Sequence, residues 1–251
     1  MRILVLSDIH ANQIAFEAVL RHAGRQRWDR VLFLGDVVGY YPEPEAATRT
    51  LRELQPEPVL GNHDALLLEL VNNPEPGPRS DSLVHEVLDR HRQCLSGESL
   101  AFLQTFQPRL QGDNWEATHG ALRHPWEYLA SLPSAQANLP LLSTDLCLVG
   151  HTHVPMIYAC VQTEKGNLWR TVPFRGERAI YRLPPKAKVF FNPGSVGQPR
   201  DGVPLASYAI FDEELRVIEL FRVPFDLLAV QRQVREQGYP EALAVRLEVG
   251  R

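Results

Sequence analysis

Asp8 and His10 stand two residues apart at the end of a short apolar run, Leu4-Val-Leu-Ser-Asp-Ile-His10. On an extended strand end, residues two apart point the same way. A carboxylate oxygen and an imidazole nitrogen then share one small volume. Four later apolar runs stop in the same manner, at Gly35-Asp36, at Gly61-Asn62-His63-Asp64, at His119-Gly120 and at Gly150-His151-Thr152-His153. Asp, Asn and His side chains offer oxygen and nitrogen ligands suited to hard-to-borderline divalent ions such as Mn, Fe, Ni, Zn or Co. Each piece alone is weak. Asp-x-His fits a polar pair at a strand end, Gly35-Asp36 fits any turn, and Gly61-Asn-His-Asp64 fits a turn followed by a helix cap. Their conjunction decides: five of the nine histidines close apolar runs, each beside Gly or another ligand type. The other four, His22, His85, His91 and His124, fall in predicted helices or loops and read as structural.

The elements that must carry these ends follow from periodicity. Strands are expected at 3–7, 31–34 and 59–60. Helices are expected at 11–24, with Ile14, Ala15, Ala18, Val19 and His22 at helical spacing, and at 45–54. Strand, helix, strand, helix, strand predicts an α/β layered arrangement with a partly parallel sheet. Ligand sites in such sheets lie beyond the carboxyl ends of the strands, where the Asp and His residues stand. Residues 65–106 change character. A helix over 65–71 with Asp64 as its cap, a loop over 72–78, a helix from a Ser80 cap to about Gln93 and a short helix over 98–106 form a helical excursion. It reads either as a lid over the cleft or as cover for the sheet edge. Strands resume at 115–118 and 146–149, separated by a loop or short-helix segment at 121–140. Further strands are expected at 154–161, 168–174, 178–183, 188–191, 205–211 and 215–222, then helices at 226–236 and 241–247. No linker interrupts the pattern, so residues 1–251 are expected to form a single domain with a second sheet.

Composition bounds the partners. The 251 residues are 44% hydrophobic and 22% charged, with net charge −4, an ordinary globular balance. A general nucleic-acid or membrane-surface binder is disfavoured. Cys94, Cys147 and Cys160 are odd in number and lack CxxC spacing, which predicts a reducing compartment rather than a disulfide framework. The first apolar run is too short for a signal-peptide core, and no run reaches the roughly 20 residues of a membrane span. The expectation is a cytoplasmic protein.

Taken in order, Asp8-x-His10, Gly35-Asp36, Gly61-Asn62-His63-Asp64, His119-Gly120 and Gly150-His151-x-His153 resemble the calcineurin-like metallophosphoesterase superfamily. The resemblance implies the metallophosphoesterase fold, a four-layer α+β or α/β sandwich of two packed mixed β-sheets flanked by helices, with two divalent metal ions. It implies that Asp8, His10 and His153 hold the first ion, that Asn62, His119 and His151 hold the second, and that Asp36 bridges them. His63 would bind no metal; beside the scissile phosphate it would stabilise charge or protonate the leaving group. Asp64, where many members carry Glu, would orient His63. Two ions about 3.5–4 Å apart clamp a phosphate and bring a bridging water near neutral pKa. The implied activity is hydrolysis of phosphodiester or phosphoanhydride bonds in a small phosphorylated substrate such as a nucleotide. A phosphomonoesterase or a nuclease with the same centre is the alternative, as is an inactive interaction scaffold of the same fold. The filled ligand positions argue against the scaffold, and the acidic net charge argues against the nuclease.

Gly35-Asp-Val-Val-Gly-Tyr40, Arg123 with Trp126-Glu-Tyr128, and Phe191-Asn-Pro-Gly-Ser-Val-Gly-Gln-Pro-Arg200 are similar to blocks in small bacterial members, among them phosphodiesterases and diadenosine tetraphosphate hydrolases. The chain departs from these at Tyr41, where Gly is usual, and at Ala121-Leu122, where Ser-Pro is frequent. Substrate contacts are expected from Arg123, Ser195 and Arg200 to a phosphate. Tyr40, Tyr41, Trp126 and Tyr128 are the candidates to stack a base. The bland readings are a tight turn at Asn192–Ser195 and packing anchors for the aromatics. Phe225, Leu227, Leu228 and Val230 mark a C-terminal helix that packs on its own chain or makes a homo-oligomer.

Overall fold

A computed structural model describes residues 1–73 and 82–251. Two six-stranded sheets pack face to face. The chain begins with β1 (Arg2–Leu6), α1 (Gln13–Ala23), β2 (Arg30–Phe33), α2 (Pro44–Glu53), β3 (Glu57–Pro58) and α3 (Asn62–Asn72). It continues through α4 (Leu83–Cys94), α5 (Gly97–Leu103), β4 (Leu110–Gln111), β5 (Trp115–Thr118), α6 (Leu132–Asn138) and β6 (Leu146–Val149). Then come β7 (Met156–Thr163), β8 (Gly166–Pro173), β9 (Arg178–Arg182), β10 (Ala187–Asn192), β11 (Ala206–Asp212), β12 (Val217–Val223), α7 (Leu227–Glu236) and α8 (Glu241–Val249). One sheet runs β3-β2-β1-β11-β12-β9 and the other β4-β5-β6-β10-β7-β8. Both are mixed: β1, β2 and β3 are parallel while β11 is antiparallel to β1, and β5, β6 and β10 are parallel while β7 is antiparallel to β10.

Alternation along the strands builds the layers. On β1, Ile3 and Val5 enter a core between the sheets with Leu32, Leu146, Leu148, Val189 and Phe211. Leu4 and Leu6 point the other way, onto Phe16 and Val19 of α1. The outer face of the second sheet puts Cys147, Val149 and Phe190 under Ala135 of α6. The order from outside to outside is therefore helices, sheet, sheet, helix.

The described parts of the 65–106 excursion are built into this core. Leu67, Leu88 and Leu103 share a cluster with α1 and α2, and Val87 packs with Tyr41, Val230 and Leu243. Val230 is thus buried against its own chain, although Leu228 is 68% exposed. The expected loop over 74–78 and the Ser80 cap lie outside the described residues; α4 opens with Ser82 as its N-cap. Asp64 is not a helix cap. The helix begins earlier, with Gly61 as N-cap and Asp64 in the first turn, because an Asp three residues into a helix reaches back to free N–H groups. Among the described residues no helix is long and apolar enough to cross a membrane.

Candidate metal centre

The parallel strands β1, β2, β3, β5 and β6 end on one side of the sandwich, and the expected ligands follow immediately. Five of them are backbone outliers: φ is 54° at Asp8, 51° at His10, 63° at Asp36, 65° at His151 and 59° at His153. Side chains with a Cβ enter this left-handed region at a cost of order 1 kcal/mol each and persist there only when the surroundings fix them. Here loop–loop hydrogen bonds do so. The N–H groups of Asp8, His10 and Ala11 donate to the Gly35, Asp36 and Val37 carbonyls at 3.0, 3.0 and 2.7 Å, and Gly150 N–H donates to His119 O at 2.8 Å.

The side chains converge in two linked groups. Asp8 Oδ1 lies 3.3 Å from His153 Nε2 and 3.9 Å from His10 Nε2. Asp36 Oδ2 lies 3.3 Å from His119 Nε2 and 3.7 Å from His10 Nε2, so it stands between the groups. His119 Nε2 is also 3.1 Å from Asn62 Oδ1 and 3.1 Å from His151 Nδ1. Asp8, His10 and His153 can hold a metal ion, as can Asp36, His119 and His151, and as can His10, Asp36 and His63; within each set the donor atoms lie within 4.8 Å of one another.

Hydrogen placement gives the test of fit. The outward nitrogen of each histidine faces a carbonyl: His10 Nδ1 to Val38 O at 2.9 Å, His153 Nδ1 to Gln198 O at 2.6 Å, His119 Nδ1 to Leu34 O at 2.7 Å and His151 Nε2 to Trp126 O at 3.1 Å. A carbonyl only accepts, so these nitrogens carry hydrogens and the neutral rings turn lone pairs inward. His10 Nε2 and His153 Nε2 then meet at 3.1 Å, a pairing of lone pairs that a cation satisfies. Asp8 Oδ1 is buried with no hydrogen-bond partner in the same space. Backbone-anchored imidazoles around free carboxylate oxygens are the donor set of a divalent metal centre.

Electrostatics agree. Burial lowers the pKa of His10, His153 and His151, the last to about 4. Burial also opposes the charge on Asp36, but the facing imidazoles His119, His63 and His10 hold its carboxyl well below the usual range. His119 is the exception: burial lowers it, yet the Asp36 carboxylate and its hydrogen bond carry it to about 9. His119 is therefore the candidate ligand that would have to release a proton before it could coordinate a cation.

His63 joins His10 and Asp36 in the third set, with Nε2 4.0 Å from Asp36 Oδ2 and its backbone N–H donating to Asp36 Oδ1 at 2.9 Å. Burial holds it neutral, with a pKa of about 4. Its ring backs onto Gly39, where φ is 97° and an added Cβ would run into His63 Nδ1. The Tyr40 ring packs on it at 4.7 Å. Asp64 does not reach His63. Its Oδ2 accepts from the N–H groups of Asp36 at 2.8 Å and Gly61 at 3.2 Å, and its Oδ1 from Val37 at 3.0 Å and Val38 at 3.3 Å. Burial and the Asp36 charge push its carboxyl up, to about 7, against those donors. With four donors and no acceptor around it, the ionised form is the one that fits.

Two expected substrate contacts, Tyr41 and Ser195, are corrected. Tyr41 is fully buried, packs with Leu243 and Val234, and accepts from Gln198 Nε2 at 3.3 Å; no base can reach it. Ser195 is also fully buried. Its hydroxyl donates to Asp8 O at 2.8 Å and accepts from Gln198 N–H at 2.7 Å, so it ties the ligand loop rather than a phosphate. Tyr40 has one face against His63 and accepts from Arg200 Nη2 at 3.2 Å. Arg123 pairs with Glu127 through Nε at 3.0 Å. Trp126 serves through its carbonyl on His151. Tyr128, 52% exposed, stacks on the His151 ring at 4.0 Å and 16°, leaving its other face open. Sequence reasoning missed Ser7, whose hydroxyl donates to Asp8 Oδ2, and His91, whose Nδ1 accepts the Gly39 N–H at 3.2 Å beneath the His63 loop. A buried, helix-borne His91 carried no signal beyond its type.

The calcineurin-like phosphoesterase superfamily domain matches residues 1–215. The chain is 34% identical over 259 residues to an uncharacterised protein of Methanocaldococcus jannaschii, MJ0912, covering 99% of this chain and 98% of that one. It is 27% identical to the Escherichia coli phosphodiesterase YfcE, covering 88% of this chain and 92% of the relative. A metallophosphoesterase from Sphaerobacter thermophilus superposes over 100% of both chains with a TM-score of 0.85 and 36% identity.

Proposed function

Since the chain belongs to the calcineurin-like phosphoesterase superfamily, we propose that it is a metal-dependent phosphodiesterase or phosphoanhydride hydrolase working through two divalent ions. The observation that carries this reading is the set of four carbonyl-anchored imidazoles converging on Asp8 Oδ1 and Asp36 Oδ2, with His10, His151 and His153 turning lone pairs inward and His119 doing so once it has released its proton. Asp8, His10 and His153 would hold one ion, Asn62, His119 and His151 the other, and Asp36 would face both. When bound, such ions supply charge stabilisation for a phosphoryl group and an activated water. The chain's own residues do the rest. Asn62 contributes a neutral oxygen, which keeps the centre from becoming too anionic for a phosphate. His63, held neutral against Gly39 and Tyr40, offers a hydrogen-bond donor to charge on the leaving oxygen. Asp64 locks the Asp36 turn.

The test is hydrolysis of bis-p-nitrophenyl phosphate, p-nitrophenyl phosphate and diadenosine tetraphosphate with added Mn, repeated with a chelator. Cleavage that requires Mn, is lost on chelation and favours the diester or the dinucleotide is the expected result. Preference for p-nitrophenyl phosphate would make the protein a monoesterase. A protein that takes up no metal and cleaves none of the three would be a scaffold, and the proposal would fall.

A further inference from the structure

A second concavity of about 660 Å³ opens beside the centre, within the usual range for small-molecule sites. Strand register places it on the same end of the sandwich. Ala206 of β11 pairs with Val223 of β12, and Phe221 of β12 with Arg178 of β9, while Asn192 of β10 pairs with Met156 of β7 and Met156 with Pro173 of β8. Antiparallel pairing to β1 and parallel pairing to β6 bring these termini level with the ends that carry Asp8 and His151. Val154, next to His153, is part of its wall.

The walls are cationic. Arg175, Arg200, Arg222 and Arg251 line the space against one side-chain carboxylate, Asp201. Asp201 is already neutralised by Arg222, a pair that is nearly buried, and the Arg222 guanidinium lies 4.9 Å over the Phe174 ring. Arg175 has no ion pair or side-chain hydrogen bond among the described residues. Arg200 belongs to both places. Its backbone N–H donates to His153 O at 3.3 Å and its Nη2 to Tyr40 OH, against the tyrosine that packs on His63. Its Nη1 has no partner among the described residues and is free to bind a ligand.

We infer that this pocket is the subsite for a second anionic group of the substrate, a phosphate of the arm that lies beyond the scissile phosphorus. The inference rests on the phosphoesterase reading for its substrate role and adds to it a preference for doubly phosphorylated molecules. Arginine is suited to the task, since its planar fork grips phosphate oxygens in pairs, and the volume exceeds what a lone phosphate fills.

Two measurements test it. First, chelated protein is titrated calorimetrically with inorganic pyrophosphate, which removes any contribution from bound metal. One saturable site is expected, weakened about tenfold by Arg175→Gln, a change at an exposed side chain, and again by Arg200→Gln. No binding, or binding indifferent to both substitutions, overturns the inference. Second, adenosine 3′,5′-bisphosphate and adenosine 5′-monophosphate are compared as inhibitors of Mn-supported bis-p-nitrophenyl phosphate hydrolysis. The bisphosphate should inhibit about tenfold more tightly, and Arg175→Gln should erase most of the difference. Equal inhibition by both in the unmodified protein would overturn the substrate role. Absence of any hydrolysis, with pyrophosphate still bound and sensitive to Arg175→Gln, would sink the phosphoesterase reading and leave the anion site standing.

Discussion

Replacing Asp64 with Asn changes one oxygen into an NH2 group and leaves shape almost untouched. Four backbone N–H groups converge on this carboxylate, at 2.8 and 3.2 Å on Oδ2 and at 3.0 and 3.3 Å on Oδ1. An amide accepts on one side only, so two of the four donors would face another donor. A buried, unsatisfied donor costs about 1–3 kcal/mol, and the two bonds that remain lose their charge assistance. Relief from burying a charge beside Asp36 offsets part of this, and a net loss of about 3 kcal/mol is expected, a large share of a typical 5–15 kcal/mol. The assay is urea denaturation of both proteins in chelator at neutral pH, followed by Mn titration. The Asp36 turn, with φ of 63°, would lose the anchor that keeps it there, so Mn affinity should fall about 10–100-fold. Midpoints that agree to within about 1 kcal/mol, with unchanged Mn affinity, would refute the claim that an ionised Asp64 locks the centre.

His63→Ala should lower turnover of bis-p-nitrophenyl phosphate by about 10²–10⁴ while metal content, read by elemental analysis, stays near that of the parent; loss of metal would make His63 a ligand. Tyr41→Ala should destabilise by about 3–5 kcal/mol in urea melts and leave the KM for a nucleotide substrate near its original value, because the ring is core; a raised KM at unchanged stability would return it to the substrate site. Because His119 is raised to about 9, metal uptake below that pH must displace its proton, and apparent Mn affinity should fall by up to tenfold per pH unit on acidification; affinity flat between pH 8 and 6 would contradict this. Burial lowers His91 to about 3, so it folds neutral. Its contribution is complete above its unfolded value near 6.5 and is lost as pH falls toward 3, at about 1.4 kcal/mol per unit. Urea midpoints at pH 7, 6 and 5 should show a shallower slope for His91→Gln than for the parent, and equal slopes would mean that His91 protonates in place without cost.

The ligands were legible because their signal is local. An Asp, Asn or His closing an apolar run needs only the geometry of a strand end to be placed, and five such ends in series carried the resemblance that implied two packed sheets. The anchors behind the ligands were not legible, because four of them are backbone carbonyls, at Val38, Leu34, Trp126 and Gln198, and a carbonyl has no residue type to read. Trp126 shows the consequence: its indole suggested stacking, while its backbone oxygen is what holds His151.

Neighbouring tyrosines show why side-chain type alone does not assign a role in these loops. Tyr40 and Tyr41 have the same chemistry one residue apart and share one buried cluster with α7 and α8, yet Tyr41 is wholly enclosed in it while Tyr40 also packs on His63. What separates them is a single left-handed residue, Tyr40, at φ of 62°, which turns the chain within one step. The same conformation recurs at Asp8, His10, Asp36, His151 and His153. Asp and His enter it more readily than most side chains with a Cβ, yet each instance is still locally unfavourable. It exists because the Gly35–Val37 carbonyls, the Asp64 carboxylate and the Ser195 hydroxyl bind these loops to one another across distances of 26 to 187 residues in the chain. The strain and the cross-bonding are therefore one device: the loops can aim inward only where the whole sandwich has already closed around them. A substitution at an anchor such as Asp64 or Ser195 should consequently disturb metal binding and stability together, whereas one at His63 should separate activity from both.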